Sequence, residues 1–516
     1  MKTDSIKKGF AILSISSFIV KLMSLLYVPL LNIIIGSNGY GIYNAAYSLY
    51  SVIYIVLSLG ISTAISKIVS QYSTNNANIS VVELFNTAIS FMFVLSFSFS
   101  IIMFIFSNKL ANILNFPEAS LSIKLLSPAI TITSLLSIYR GYFQGKGIMM
   151  PTAISQIVEQ IFNVAISLFF SYSLKNFGIH KACAGATVGT TIGATISLIY
   201  LHMIYIKSEH NIGTRLYISK KLLKEILKYT LPIVLTLGIY NLGNLVDISN
   251  IKSNLLLLGF TIDEANSLSG NLANFYTLIN IPITLISSLS IALLPALSSL
   301  FANNDVVNIT HKINYALKIC ILISIPSCVG LSVLSKPIYA LIFPKSSEGF
   351  LLMKFGSPIV IIWSLFQIQS TILQSLNKTK VLAYNILIGI ILRLFFNSIF
   401  IKVDGLNIIG ALIGIFCGFL ISVILNFYSL KKILKLNSNL YLYTCITTAS
   451  SMIMGFVVCI LYNYLENSNQ IFNINISLFK IISLFSVVLL GIIIYIIMLF
   501  ILMSLANKTT NVKYSK

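Results

Sequence analysis

Residues Tyr139–Asn163 read YRGYFQGKGIMMPTAISQIVEQIFN, a stretch rich in polar side chains that lies between two long apolar runs. Pro151 has no backbone N–H to lose in the first turn of a helix, so a helix is predicted to begin here. The polar residues that then recur at steps of three or four are Gln156, Glu159, Gln160, Asn163 and Ser167. This spacing puts them on one face of the helix. A carboxylate on such a face of an apolar helix must meet water, a partner or a substrate.

The composition around this stretch is that of a polytopic membrane protein. Of the 516 residues, 57% are hydrophobic and 9% are charged, and the mean hydropathy is +0.93, whereas a soluble domain has about 25% charged residues. The net charge of +21 does not indicate nucleic-acid binding, because no soluble domain is predicted to carry it and basic cytoplasmic loops are common in membrane proteins. The six cysteines have no metal-ligand or disulfide spacing, so no metal site is predicted.

The apolar runs predict fourteen transmembrane helices, at about 20 residues for each crossing. They lie near residues 10–35, 43–66, 82–106, 122–143, 152–174, 183–206, 229–251, 272–297, 314–334, 355–376, 380–401, 407–430, 441–463 and 478–504. An even count places both termini on one side. If that side is the cytoplasm, about 22 of the 34 Lys and Arg lie on the inside. We therefore predict a multi-pass protein of the cell membrane with both termini cytoplasmic.

Two glycine-rich motifs indicate that the architecture is duplicated. The first motif is Gly185, Gly189, Gly193 and Ser197, and the second is Gly410, Gly414, Gly418 and Ser422. A weaker echo joins Phe143-Gln144-Gly145 to Leu373-Gln374-Ser375. Small residues at steps of four let helices pack closely, and such repeats are common in transporters. The predicted fold is all-α, with pseudo-symmetric six-helix lobes at 1–206 and 229–430, a basic cytoplasmic linker at 207–228, and two helices with a cytoplasmic tail at 431–516.

Three charges predicted to lie deep in the membrane suggest a polar cavity, because each one costs about 2.5–3.5 kcal/mol at the bilayer centre. Lys21 lies roughly 16 Å into its span, Arg393 lies about as deep, and Glu159 lies roughly 12 Å from the inner end of its span. Other residues expected to line the cavity are Gln156, Asn163, Asn244 and Asn397. Those expected at its cytoplasmic mouth are Arg140, Gln144 and Lys146.

Several of these residues have two interpretations. The deep charges either bind or gate an anionic substrate, or Glu159 pairs with Lys21 or Arg393 and simply holds helices together. Asp247 is interpreted as a solvated helix end near the outer surface, with ion coupling as the alternative. The tyrosine stripe of the second span either packs or stacks on a sugar; it consists of Tyr43, Tyr47, Tyr50 and Tyr54. No catalytic constellation and no P-loop occur, so the chain is not predicted to be an enzyme.

The motifs resemble one family over essentially the whole chain. They are Arg140-Gly-Tyr-Phe-Gln-Gly145, Met150-Pro-Thr-Ala-Ile-Ser-Gln156 with Glu159-Gln160, Gly39-Tyr-Gly-Ile-Tyr43, and Leu59-Gly-Ile-Ser-Thr-Ala-Ile-Ser-Lys67. This set resembles the SpoVB/YtgP-type polysaccharide transporters of the MOP (multidrug/oligosaccharidyl-lipid/polysaccharide) exporter superfamily, which is similar to MurJ-type lipid II flippases. Relatives often carry Arg before the proline where this sequence has Val28-Pro29, so one cavity cation is missing here.

The resemblance implies a MATE/MurJ-like fold, in which two lobes form a V-shaped cavity and the last two helices form a lipid-facing groove. It implies a flippase that moves an undecaprenyl-pyrophosphate-linked oligosaccharide from the inner to the outer leaflet by alternating access. The substrate would be lipid II-like or another precursor of the cell envelope or the spore cortex. Lys21 and Arg393 would hold the pyrophosphate. No cofactor is expected, and coupling to the membrane potential, or to Na⁺ or H⁺ through Glu159 or Asp247, is a further hypothesis.

The expected partners are the lipid-linked oligosaccharide, membrane lipids and enzymes of cell-envelope synthesis, around a monomeric transport unit. Three other readings stay open. A MATE-like drug or cation antiporter would favour an acidic cavity, whereas two of the three deep charges here are basic. Two readings belong to a different class. A membrane-embedded glycosyltransferase or ligase would need a large outer loop with catalytic residues, whereas the longest segments here are predicted to be inner or are very short. A non-transporting assembly scaffold would not depend on Lys21 and Arg393.

Overall fold

The computed structural model describes residues 2–74, 78–208, 219–303, 305–431, 440–467 and 476–514, and no strand occurs among them. The described helices pack as two units, Met1–Gly270 and Asn271–Lys516. The first unit contains α1 Lys2–Tyr54, α2 Gly60–Thr74, α3 Asn78–Ile105, α4 Ser107–Ile113, α5 Ser120–Gly145, α6 Met149–Leu174, α7 Ile179–Ser208 and α8 Lys220–Leu257. The chain enters the second unit within α9 Ile262–Ala302. The second unit continues with α10 Val306–Val333, α11 Ser335–Ile342, α12 Phe350–Gly356, α13 Ile359–Ser375, α14 Thr379–Phe400, α15 Ile408–Lys431, α16 Leu440–Asn467 and α17 Ile476–Tyr514.

Length and hydropathy identify membrane-spanning candidates among these helices. In the described part of the chain eleven helices qualify, or twelve if the bent pair Pro344–Gly356 and Ile359–Ser375 forms one span. One candidate, Ile12–Tyr72, has 61 residues, and a span needs only about 20. It bends at Gly36, whose φ of 68° and ψ of −177° are not helical, so it has the length of two spans. The all-α membrane fold is confirmed, and the helices are consistent with fourteen crossings without establishing that count.

The connection between α5 and α6 reappears between α13 and α14. It is shorter than the gap between the predicted spans 122–143 and 152–174, because helical hydrogen bonding continues to Gly145 and resumes at Met149. The backbone N–H of Ile148 donates to Phe143 O, and that of Lys378 donates to Leu373 O, both at 2.9 Å. Between them Gly147 has φ 78° and Asn377 has φ 56°, a conformation open mainly to glycine and asparagine. The weak echo in the sequence thus marks one turn that occurs twice.

The two glycine motifs perform the same packing role in α7 and α15. A Cβ added to Gly193 would lie 2.6 Å from the backbone oxygen of Glu159 in α6. A Cβ added to Gly418 would lie 2.6 Å from the Cβ of Arg393 in α14. The serines that end the two motifs also make equivalent contacts. Ser197 donates to Ser155 O at 2.8 Å, and Ser422 donates to Asn385 O at 3.3 Å. The predicted close packing through small residues is therefore confirmed in both halves.

The predicted lobe boundaries differ from the grouping by packing. α8, which begins the second lobe in the prediction, packs with α1–α7 in the unit Met1–Gly270. Most of the predicted linker lies outside the described residues, since 209–218 are not described. In the second unit, α16 and α17 pack onto the end of α10 through a buried cluster. Its members are Leu334, Met454, Val458, Leu484 and Val487. The boundaries at 206, 229 and 430 stay predictions.

Candidate functional site

The polar face of α6 is held against α1 and α5. Ser16 Oγ of α1 donates to Gln156 Oε1 at 3.3 Å, and Gln160 Nε2 donates to Ser24 Oγ at 3.1 Å. The side chain of Glu159 points instead to α5. The helix that begins at Met149, with Pro151 in its first turn as predicted, therefore divides its polar residues between two neighbours.

Glu159 forms an ion pair with Arg140 of α5. The guanidinium Nη2 lies 2.6 Å from Glu159 Oε2, and Arg140 Nε donates to Ser155 Oγ at 3.0 Å. The side chains of Arg140 and Glu159 are 12% and 24% exposed. Charge-assisted contacts at this distance are strong, and partial exposure leaves both groups open to exchange with another ion.

This pair corrects one expectation from the sequence. Glu159 is joined to Arg140 and not to Lys21 or Arg393, because α5 and α6 are antiparallel neighbours across the short turn 146–148 and the long arginine side chain reaches inward. Arg140 is therefore a partner within the helix pair, and its place at the cytoplasmic mouth stays a prediction. Of the other two predicted mouth residues, Gln144 is half-buried and Lys146 is exposed, with its Nζ 4.7 Å from the centre of the Tyr142 ring.

Lys21 lies on α1 between Ser16 and Ser24, the residues that contact Gln156 and Gln160. It is therefore close to the level of Glu159 along the bundle. Its side chain is exposed and makes no ion pair with a carboxylate of the described residues. A charge at this depth needs water or a ligand. The Arg140–Glu159 ion pair and the exposed Lys21 thus lie at about the same level of the first unit.

A second polar group on α6 is used for packing. Asn163 Oδ1 accepts hydrogen bonds from Ser167 at 3.2 Å and from Thr190 at 3.4 Å, and the Thr190 hydroxyl also contacts the hydroxyl of Tyr47. The predicted cavity residue Asn163 therefore joins α6 to α7 and α1 in this structure.

In the tyrosine stripe of α1, Tyr43 and Tyr50 are buried and Tyr47 and Tyr54 are half-buried. Neighbouring rings from Tyr40 to Tyr54 lie 4.8–6.0 Å apart, and the Tyr27 hydroxyl donates to that of Tyr43 at 3.3 Å. Tyr50 donates to Thr133 at 3.4 Å. These rings are engaged with one another and with α5, so the packing interpretation is supported over stacking on a sugar.

The candidates of the second unit are enclosed. Arg393 is 4% exposed and Asn397 is fully buried, and both lie against glycines of α15. Their role in a cavity stays a prediction. The remaining polar candidates lie on α8, where Asn244 is half-buried. Asp247 is 4% exposed, so its interpretation as a solvated helix end was wrong. The physical reason is that α8 continues to Leu257 and carries Asp247 inside the packed helices.

Sequence reasoning missed Lys252, which is the most deeply buried cation described. Its side chain is 0% exposed and lies 3.7 Å from Glu118. It comes directly after the predicted span 229–251, where a lysine looks like an ordinary boundary residue. The available signal was the number of polar residues that must meet at this end of the helices, among them Asn115, Glu118 and Asp263.

These features define a multi-pass helical membrane protein with an ion pair between α5 and α6 and an exposed lysine on α1. Residues 6–301 match the family described as polysaccharide biosynthesis protein. The match spans more than half of the chain, so the chain belongs to this family, as its motifs indicated.

Two curated relatives from Bacillus subtilis (strain 168) align over most of the chain. "Lipid II flippase MurJ" is 25% identical over 454 residues, covering 83% of this chain and 83% of the relative. "Stage V sporulation protein B" is 24% identical over 473 residues, covering 90% of this chain and 91% of the relative. The similarity therefore extends over both halves of the protein.

Solved structures show the same fold. "Lipid II flippase MurJ, inward closed conformation" has a TM-score of 0.71 at 17% identity and covers 96% of this chain and 99% of its own. An inward-facing multidrug resistance MATE family transporter of the MOP superfamily has a TM-score of 0.66 at 16% identity, with coverages of 80% and 97%. The predicted MATE/MurJ-like fold is confirmed. Of the two curated relatives above, the one with a named activity is a flippase, and the described helices are those of a multi-pass membrane protein.

Proposed function

We propose that this protein flips a lipid-linked oligosaccharide whose sugar is joined to a polyprenol by pyrophosphate. The observation that carries the proposal is the pairing of Arg140 with Glu159 at the level of exposed Lys21. This group has an excess of positive charge and one guanidinium whose partner is exchangeable. An anionic headgroup would satisfy Lys21 and compete with Glu159 for Arg140.

The physical chemistry of the substrate fits this arrangement. A pyrophosphate diester is anionic and crosses hydrocarbon poorly, whereas its polyprenyl tail can stay in the lipid. Guanidinium groups bind phosphate oxygens through two parallel N–H donors, and a lysine adds a point charge. A basic hydrated face inside the membrane therefore supplies what the headgroup loses when it leaves water.

Glu159 acts in this proposal as a gate and not as a ligand. While no substrate is bound, its carboxylate neutralises Arg140 and orients it through the 2.6 Å contact. A phosphate displaces the carboxylate, and the return of Glu159 to Arg140 promotes release. Ion coupling through Glu159 or buried Asp247 and interaction with cell-envelope synthesis enzymes are compatible with this proposal. The proposed movement is from the inner to the outer leaflet.

The direct test is flipping of a fluorescent polyprenyl-pyrophosphate oligosaccharide in proteoliposomes. We expect Lys21→Met and Arg140→Gln each to slow transbilayer movement by at least about tenfold, because each removes one charged contact. Lys402→Met is the matched control, since Lys402 is an exposed lysine of the second unit. Rates for both site variants equal to that of the control would overturn the proposal.

The second candidate is a MATE-like antiporter of cations, which the fold similarity and the carboxylate of Glu159 favour. The same proteoliposomes distinguish it. An antiporter would move a cationic dye against a proton or sodium gradient, would lose this activity in Glu159→Gln, and would leave the labelled lipid in its original leaflet.

A further inference from the structure

Lys252 joins the ends of three elements far from the Arg140–Glu159 pair in the sequence. Its Nζ lies 2.5 Å from Asn266 Oδ1 at the start of α9 and 3.7 Å from Glu118 Oε2 before α5. The same ammonium lies 3.7 Å from the centre of the Phe116 ring. The lysine side chain is wholly enclosed, so its charge depends on these three groups for stabilisation.

Asn266 connects this cation to α1. A Cβ on Gly41 would collide with the backbone oxygen of Asn266, and a Cβ on Gly270 would collide with that of Ser37. Beside this crossing, Asn38 Nδ2 donates to Asp263 Oδ1 at 3.0 Å. The part of α1 after the Gly36 bend therefore lies in backbone contact with α9, directly beside the buried lysine.

The start of α8 is held by weaker contacts than its end, where Lys252 lies. Lys67 lies 4.1 Å from the centre of the Tyr229 ring, and Tyr72 donates to Glu225 at 2.9 Å. Lys67 is exposed, whereas Lys252 is not. Separating a buried charge from its partners is more costly than separating exposed groups. The end that contains Lys252 is therefore the more firmly closed of the two.

We propose that Lys252 is a latch that keeps the bend of α1 and the ends of α5, α8 and α9 together at one membrane face, and that this face opens only when Lys252 leaves Glu118 and Asn266. If both termini are cytoplasmic, the latch closes the outer face. The role of this latch rests on the proposed transport function, since a flippase must open outward to release its cargo. Its existence is tested without any flipping measurement.

The test measures access to a reporter thiol from outside. In a variant with the six native cysteines replaced by alanine, Ser269→Cys supplies the reporter, because Ser269 is 9% exposed and lies next to Gly270 at the crossing. A membrane-impermeant maleimide is added to intact cells, and peptide mass spectrometry follows labelling. We expect Lys252→Met to raise the labelling rate at least about tenfold. Lys402→Met, the control for lysine loss, should leave it unchanged.

A second reporter separates opening from unfolding. Cys320 is fully buried in the second unit, so a variant that retains only this native cysteine should stay unlabelled with Lys252→Met. Exchange of the two charges, Glu118→Lys with Lys252→Glu, should restore slow labelling. Equal labelling of the Ser269→Cys site in Lys252→Met and Lys402→Met would overturn the proposal.

If Lys252→Met also exposes Cys320, the variant is unfolded, and a cross-link tests the latch instead. The side chains of Asn38 and Asp263 touch, so Asn38→Cys with Asp263→Cys should form a disulfide across the latch. We expect oxidation to slow labelling of the Ser269→Cys site about tenfold and reduction to restore it. Labelling that is indifferent to the disulfide would show that these ends do not separate, and would overturn the latch whatever the flipping assay reports.

Discussion

Glu159 shows how a single carboxylate can set the properties of a cationic site. It is 24% exposed and lies 2.6 Å from the guanidinium of Arg140. An internal anion competes with any anionic ligand for the same donors, so it lowers the ligand's apparent affinity and assists its departure. Arg393, by comparison, is only 4% exposed.

At this scale we expect Glu159→Gln to bind the lipid-linked pyrophosphate about five- to tenfold more tightly and to turn it over more slowly. Removal of the competing charge is equivalent to about 1–1.4 kcal/mol of ligand affinity. The dependence of flipping rate on substrate mole fraction in proteoliposomes gives both quantities.

Glu225→Gln is the control for this change. Glu225 lies near the start of α8 and accepts a hydrogen bond from Tyr72, so this variant removes a different carboxylate. Weaker substrate binding in Glu159→Gln than in this control would show that Glu159 contributes to binding and would contradict the gate.

A helix pair that packs closely through glycines occurs twice in the fold. α6 packs on α7 as α14 packs on α15, and the serine that ends each motif donates to a backbone oxygen of its neighbour. Glycine is needed at these crossings because the neighbouring backbone occupies the space of a Cβ. The position of the polar face of α6, and with it Glu159, therefore depends on the surface of α7.

We expect Gly193→Ala to destabilise the protein by about 1–3 kcal/mol, because the added methyl group must displace the backbone of α6. Thermal unfolding in detergent should show a lower Tm, and flipping should slow as Glu159 shifts from Arg140.

Gly330→Ala is the matched control, since nothing lies within 4 Å of a Cβ at that site in α10. Alanine also has the higher helix propensity, so the Tm of this variant should be unchanged or slightly raised. The same Tm for both variants would contradict close packing at Gly193.

For the whole molecule, the decisive quantity is the charge that crosses the membrane. In the proposed transport, a headgroup with negative charge moves from the cytoplasmic to the outer leaflet, and a potential that is negative inside lowers its energy along this path. The gain is about 2.3 kcal/mol per charge for 100 mV. The membrane potential could therefore drive the proposed transport without nucleotide hydrolysis.

We expect a potassium diffusion potential that is negative on the side of the predicted cytoplasmic termini to accelerate export of the labelled lipid. Proteoliposomes of fixed protein orientation, with valinomycin and opposite potassium gradients, measure the effect of sign. A control at zero potential gives the basal rate. Flipping that is independent of the potential, or faster with the reversed sign, would contradict movement of net negative charge.

Hydropathy and residue spacing were sufficient for the membrane class, the helical architecture and the duplicated glycine seams, because these features depend on short-range periodicity and on the length of apolar runs. The polar face of α6 was also readable, since residues three or four apart share a face. Lobe boundaries and terminal orientation are not decided by packing within each unit, and they stay predictions.

Three-dimensional packing alone showed which charges meet. Glu159 was expected opposite Lys21 or Arg393, yet Arg140, five residues before the end of α5, reaches it across the short turn. Lys252 has the appearance of a boundary residue in the linear pattern, but it is enclosed by Glu118, Phe116 and Asn266 from distant segments. Periodicity reports the face on which a side chain lies. The partner depends on which helices become neighbours, and this is a property of the folded chain.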